Sequence, residues 1–155
     1  MQEEILKYLV GLLTFGISQK RLKDRKVFDR LIGQLPPSSS AILLLKDHDM
    51  GAPFRHEIMN PLYDALTSWN NVDNIFQTKG IEKRKNEFLD KLREFTHRFS
   101  DKSGEEGGGF ISIGMKDYED RVDMIKYRDT LNRLGTEAYE KYNEFYNFAH
   151  RKLPV

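Results

Sequence analysis

Residues 4–17 (EILKYLVGLLTFGI) are largely apolar, and a basic stretch, residues 18–30 (SQKRLKDRKVFDR), follows at once. Lys7, Gly11, Thr14 and Ser18 recur at i, i+4, i+7 and i+11. On a helix they draw one small or polar stripe along a surface that is oily elsewhere. Such a stripe allows close approach of another helix. Past Gly16 the 3.6-residue period continues through Leu22, Val27, Phe28, Leu31, Ile32 and Leu35. Pro36 and Pro37 stop it, because proline lacks the amide donor and disfavours helix in the residue before it. Ser38, Ser39 and Ser40 offer N-caps for the next element, AILLLKDHD. Three of its five consecutive apolar residues are leucine and only Ile42 is β-branched, which favours helix over a short buried strand. Gly51 suits the helix C-terminus.

Asn60-Pro61 reads as an N-cap followed by proline at the first helical position, with Leu62, Leu66 and Trp69 on one face and Asn70 and Asn71 closing the helix. From Gly80 to Phe99 an apolar stripe runs through Ile81, Phe88, Leu92, Phe95 and Phe99, with Leu89 beside it. Residues 100–109 (SDKSGEEGGG) are polar and glycine-rich, the composition of a mobile loop. Residues 110–113 (FISI) alternate, as a short strand or an extended tether does. The last helix is expected from about Tyr118 to Leu153, with Val122, Ile125, Leu131, Leu134, Ala138, Tyr142, Phe145 and Ala149 at apolar positions. From Leu131 onward the steps of three and four are those of a bundle seam. Gly135 inside it marks close packing or a weak point. The expected fold is all-α. It is an elongated antiparallel bundle of four or five helices with a glycine-rich loop before the long last helix. Residues 1–35 form an apolar and basic N-terminal helix and residues 36–155 the rest of a single helical unit.

The chain has 155 residues, enough for one domain that buries about two thirds of its unfolded surface without a staple. Charged residues are 32% and hydrophobic ones 39%, which fits long helices with wet outer faces. A formal net charge of +1 argues against bulk attraction to nucleic acid. A regulator binding DNA through residues 20–30 is therefore the weakest of the functional readings. With no cysteine there are no disulfides, thiolate zinc sites or cysteine nucleophiles, and the composition suits a reducing compartment.

A bilayer span needs about 20 mostly apolar residues. Ile5 to Ile17 is 13 residues long and contains Lys7, Gly11 and Thr14. The segment is not a secretory signal either, since its charges follow the apolar run and no small-x-small site comes after it. Three readings stand: a buried bundle helix, an interfacial or truncated membrane anchor, and a helix that pairs with a partner subunit or a second copy. In the anchor reading Lys20, Arg21, Lys23, Arg25 and Lys26 meet lipid headgroups, and the basic flank assigns the following residues to the cytoplasmic side.

The densest group of chemical side chains is Asp47, His48, Asp49, Arg55, His56 and Glu57. A calcium loop counted from Asp47 has its glycine (Gly51) and glutamate (Glu57) one position early. HEIMN has Asn60 where a zinc-protease helix has its second histidine. His48-Asp49 is like the pair of the metal phosphohydrolases, but no histidine precedes it. Arg93 and His97 have only three residues between them, too few for a helical ribonuclease pair. No G-x-S-x-G elbow is present, and GEEGGG lacks the Lys-Ser/Thr of a phosphate loop. Asp47, His48, Asp49, His56 and Glu57 are thus expected as a polar helix end and turn. The sharper alternative is a small ligand site or metal-dependent hydrolase. Neither cofactor nor metal is expected. His150 near the end of the last helix complements its dipole. Tyr139, Tyr142 and Tyr146 on that helix are either core or a partner surface.

The phrases VFDRLIGQLP, AILLLKDHDMGAPF, IFQTKGIEKRKNEFLDKLREF and YEDRVDMIKYRDTLNRLGTEAYEKYNEFYNFAHRKL, in this order, resemble a group of uncharacterised bacterial proteins. Those proteins have an N-terminal membrane helix and a cytoplasmic helical part. The resemblance covers most of the chain from about residue 20, mainly as apolar spacing plus an L-x-x-H-D-x-G-like element from Leu45 to Gly51. It implies that the upstream apolar segment is membrane-related, although that segment is shorter here than a span, and it brings no activity with it. The expected function is a non-catalytic helical interaction module, associated with the cytoplasmic face of a membrane or with a protein partner.

Overall fold

A computed structural model describes residues 1–114 and 121–154. Five helices carry most of the chain: α1 (Gln2–Gln34), α2 (Ser40–Asp47), α3 (Asn60–Ser68), α4 (Lys79–Lys102) and α5 (Arg121–Lys152). Three short strands, β1 (Phe54–Arg55), β2 (Ser103–Gly107) and β3 (Phe110–Ile113), form an antiparallel sheet in the order β1-β3-β2.

Of the long helices, α5 runs antiparallel to both α4 and α1. Lys91 reaches Glu137 at 3.1 Å and Lys141 reaches Glu87 at 3.7 Å, so α4 and α5 run antiparallel. Phe28 packs on Phe145, the Tyr142 hydroxyl donates to the Leu35 carbonyl at 2.5 Å, and Arg25 donates to the Pro154 carbonyl at 3.0 Å. These pairs make α1 antiparallel to α5. Phe145 is the hub of an aromatic core, with Phe28, Trp69 and Phe76 within 6.0 Å between ring centres. Phe88 joins through Trp69 and Tyr142. Burial of such rings supplies most of the packing energy of a small bundle.

Several local expectations hold. Ser39 caps α2, its hydroxyl accepting from Ile42 N–H, and the leucine run is helical with Leu44 and Leu45 in the core. The α4 stripe is buried throughout. Gly135 is a point of close approach: a Cβ there would lie 3.1 Å from the Leu45 carbonyl oxygen. Gly135→Val should therefore lower stability by about 2 kcal/mol through overpacking of α2 on α5. Thermal unfolding followed by circular dichroism would show it, and an unchanged midpoint would contradict the close-packing role.

Other details differ. Residues 103–107 form β2 and not a loop; the turn to β3 is carried by Gly107, Gly108 and Gly109, all at positive φ (93°, 62° and 83°). That left-handed region is one that glycine alone enters without strain. α2 ends at Asp47 with His48 as its cap, so Gly51 lies in the following turn. Asn60 has helical dihedrals and continues a 3-10 turn (His56–Met59) into α3, so it is not the N-cap. The proposed start of the last helix at Tyr118 lies outside the described residues. Val122 is exposed, and the α5 seam becomes core only from Leu131.

Two buried charged groups organise the bundle. Asp24 is 1% exposed, and its two oxygens accept the backbone N–H groups of Gln77 (2.7 Å) and Thr78 (2.8 Å), which hold the start of α4 against α1. Lys85 occupies the gap between Ile81 and Phe88 in the α4 stripe and is fully buried. Its ammonium donates to the carbonyls of Trp69 and Asn74, both at 2.8 Å, and pairs with Glu82 at 3.0 Å. Burial pushes its pKa below the usual lysine value, with Glu82 opposing the shift.

Candidate functional site

The bundle ends abruptly along α1. α4 begins beside Asp24, and the end of the chain meets Arg25 at Pro154. Residues 2–23 of the same helix run on past both neighbours for about 33 Å, at 1.5 Å per residue. Every residue from Met1 to Lys23 is exposed. The overhang nevertheless carries nine large apolar side chains between Ile5 and Ile17, from 49% exposed at Leu9 to 69% at Leu13.

Their arrangement follows from helix geometry. At about 100° per residue these side chains cover an arc of roughly 220–240°, interrupted only by the stripe through Lys7, Gly11, Thr14 and Ser18. Leu6, Leu13 and Ile17 extend the line that lower down enters the core as Phe28, Leu31 and Leu35. The expectation of a buried bundle helix therefore fails for residues 2–22: the oily face persists where no neighbouring helix reaches it. Among the described residues no helix is long and apolar enough to cross a membrane.

The basic flank sits where the bundle begins. Lys20, Arg21, Lys23 and Lys26 are exposed, and among the described residues none of them forms an ion pair. Arg25 behaves differently from the expectation. It is half-buried, pairs with Asp29 at 3.0 Å and donates to Pro154, so it fastens the bundle and does not point outward with the others.

The polar group of the forties and fifties is dispersed. The Asp49 carboxylate accepts from Gly51 N–H at 2.9 Å and Asn132 Nδ2 at 3.3 Å, and Arg128 lies at 4.0 Å. The Gly51 amide leads these in holding its pKa below the ordinary aspartate value. These contacts anchor the α2–β1 turn to α5. His48 Nε2 meets the Ala52 carbonyl at 2.9 Å and its ring abuts Phe54. Glu57 is paired with Arg55 at 2.7 Å, which lowers its pKa. Asp47 and His48 share a shallow groove with Leu43, Phe54 and Ile58, which Asp49, His56 and Glu57 do not line. Among the described residues no three His, Asp or Glu side chains come together in a way that could hold a metal ion.

Of the two readings of the tyrosines, Tyr142 takes the core one and is no partner surface. It is 1% exposed, its hydroxyl is used by Leu35, and burial raises its pKa. Tyr146 is half-buried and stacks between Tyr142 and His150. Tyr139 is half-buried beneath the Lys46 ammonium.

No family model, curated protein or solved structure matches this chain. The functional reading therefore rests on the geometry of the overhang and its flank. Sequence reasoning missed Arg30 and residues 71–75 and 77, which line a cleft beside that flank. Arg30 lies within the basic stretch, but nothing in the sequence signals that residues 71–77 pack against it.

Proposed function

We propose that this protein is a non-catalytic helical module that attaches to the cytoplasmic face of a membrane through residues 5–26 of α1. The observation that carries the reading is the overhang: an oily helix surface beyond the end of the bundle, followed at once by unpaired cations. A single partner helix covers a stripe of roughly 100° or less, which would leave more than half of this arc wet. The apolar part of a bilayer leaflet covers the whole arc. Glu3, Glu4 and Lys7 at one end and Lys20 to Lys26 at the other favour a helix lying in the interface over one that crosses. Each exposed Lys or Arg near an anionic surface adds about 1 kcal/mol. The cytoplasmic leaflet carries the negative surface potential that attracts such a basic segment, which supports that face.

Co-sedimentation with vesicles tests this. The full chain should bind vesicles containing phosphatidylglycerol and bind pure phosphatidylcholine weakly. The double variant Leu9→Glu/Leu13→Glu should lose at least about 100-fold in partitioning, since two carboxylates then enter the apolar layer. Its bundle should remain folded, because neither residue touches the core. A chain that stays unbound at low salt and behaves as a dimer would overturn the reading in favour of helix pairing along the Lys7–Gly11–Thr14–Ser18 stripe.

A further inference from the structure

A cleft of about 530 Å³ opens beside α1 just below the apolar segment, between Lys23, Lys26 and Arg30 on the helix and chain segment 71–77 across from it. Its position on the helix is not arbitrary. Ile5, Tyr8, Leu12, Phe15, Gln19, Lys23, Lys26 and Arg30 follow one another by steps of three and four, so they share one face. The face is oily above and cationic below. Lys23 and Lys26 lie about 9 and 14 Å along the axis beyond Ile17, at 1.5 Å per residue. With the helix tilted into the interface, its apolar segment deeper than its basic flank, they meet the headgroup layer while Tyr8, Leu12 and Phe15 meet acyl chains.

The cleft is also built, not merely charged. Arg30 Nε donates to Asn74 Oδ1 at 2.9 Å and one Nη to the Asp73 carbonyl at 2.5 Å. Asn74 is itself buried and fixed, donating to the Ser68 carbonyl and accepting Lys85 on its own carbonyl. The guanidinium is thus held in place, with three of its five N–H donors beyond those two bonds. Two carboxylates line the same cleft. Three cations thus face two negative charges, with the Asp24 oxygens already engaged by the amides of Gln77 and Thr78 and the Asp73 carboxylate on the opposite wall.

We infer that this cleft binds the phosphate ester of an anionic lipid headgroup. The inference rests on the membrane reading above and deepens it: the overhang supplies adhesion, and the cleft selects the lipid. A fixed guanidinium flanked by two mobile ammonium groups is the donor set that grips phosphate oxygens by charge-assisted hydrogen bonds.

Two pairs of equal charge separate cleft binding from diffuse attraction. Lys23→Gln/Lys26→Gln removes two cleft cations, and Lys20→Gln/Arg21→Gln removes two that do not line it. On phosphatidylglycerol vesicles the cleft pair should weaken binding at least about tenfold more than the other pair. In a second arm, soluble glycerol 3-phosphate is titrated into the full chain and into Leu9→Glu/Leu13→Glu, followed by amide NMR. Shifts gathered at residues 23–30 and 71–77 in both proteins, lost in Lys23→Gln/Lys26→Gln, support the cleft independently of membrane attachment. Such shifts in a chain that ignores vesicles would keep the phosphate site and reassign its source to a free phosphate ester, and the membrane reading alone would fall. Equal losses from the two pairs, together with no localised shifts, overturn the inference.

Discussion

Replacing Lys85 with alanine should lower the free energy of unfolding by about 3–5 kcal/mol, the range for removing one partner from a buried charged cluster. The side chain sits in the middle of the α4 seam, where an apolar residue would satisfy the helix pattern. Its ammonium instead ties together three groups from separate turns of the chain. The Trp69 carbonyl ends α3, the Asn74 carbonyl ends the 3-10 turn after it, and Glu82 lies one turn back on α4. Without the ammonium both carbonyls face a dry interior, and each unmet polar group costs about 1–3 kcal/mol. Lys85→Met separates this from simple packing, because methionine keeps most of the buried stem and loses only the ammonium, which also lies 5.7 Å over the Phe76 ring. Urea unfolding should rank wild type above Lys85→Met and Lys85→Met above Lys85→Ala. A methionine variant as stable as wild type would mean that the ammonium organises nothing.

The second large effect concerns Asp24. Asp24→Ala should destabilise the bundle by about 3 kcal/mol, since it strands the amides of Gln77 and Thr78 beside α1. Asp24→Asn keeps one acceptor oxygen and loses the negative charge facing the first turn of α4, where a charge adds about 0.3–1 kcal/mol. It should therefore fall nearer wild type than alanine does. Because Asp24 holds Gln77 and Thr78 against α1, hydrogen exchange at those two residues should accelerate in the alanine variant before global unfolding. Exchange unchanged there would show that other contacts fix them.

The helices were legible because their apolar positions repeat at the helical period and the stops are proline or paired asparagine. The stripe from Ile81 to Phe99 and the seam from Leu131 to Ala149 could be read residue by residue. Of the sheet only β3 could, through the alternation of residues 110–113. β2 is exposed almost along its length and so lacks the alternation that marks a strand, while β1 is only two residues long. Lys85 was invisible for a different reason: its partners are carbonyls brought in by tertiary folding, and main-chain oxygens leave no trace in a sequence. Asp24 was hidden in the same way, as one acid in a basic run. The overhang was half legible. Its oiliness was evident, but that α4 begins and α5 ends level with Asp24 and Arg25 is a matter of helix register, which no local pattern records. Asp47, His48, Asp49, His56 and Glu57 looked dense because they are close in number. In space each is taken up by a different neighbour, or by none.

The unbroken course of α1 through bundle and overhang gears the two together. A helix without a kink fixes azimuth as well as length, so one inserted residue between Ser18 and Gln19 would swing Tyr8, Leu12 and Phe15 about 100° away from the line of Lys23, Lys26 and Arg30. Chemistry would be untouched and alignment lost. On the proposed membrane reading, the angle at which the bundle meets a surface is thus written into the count of residues along a single rod.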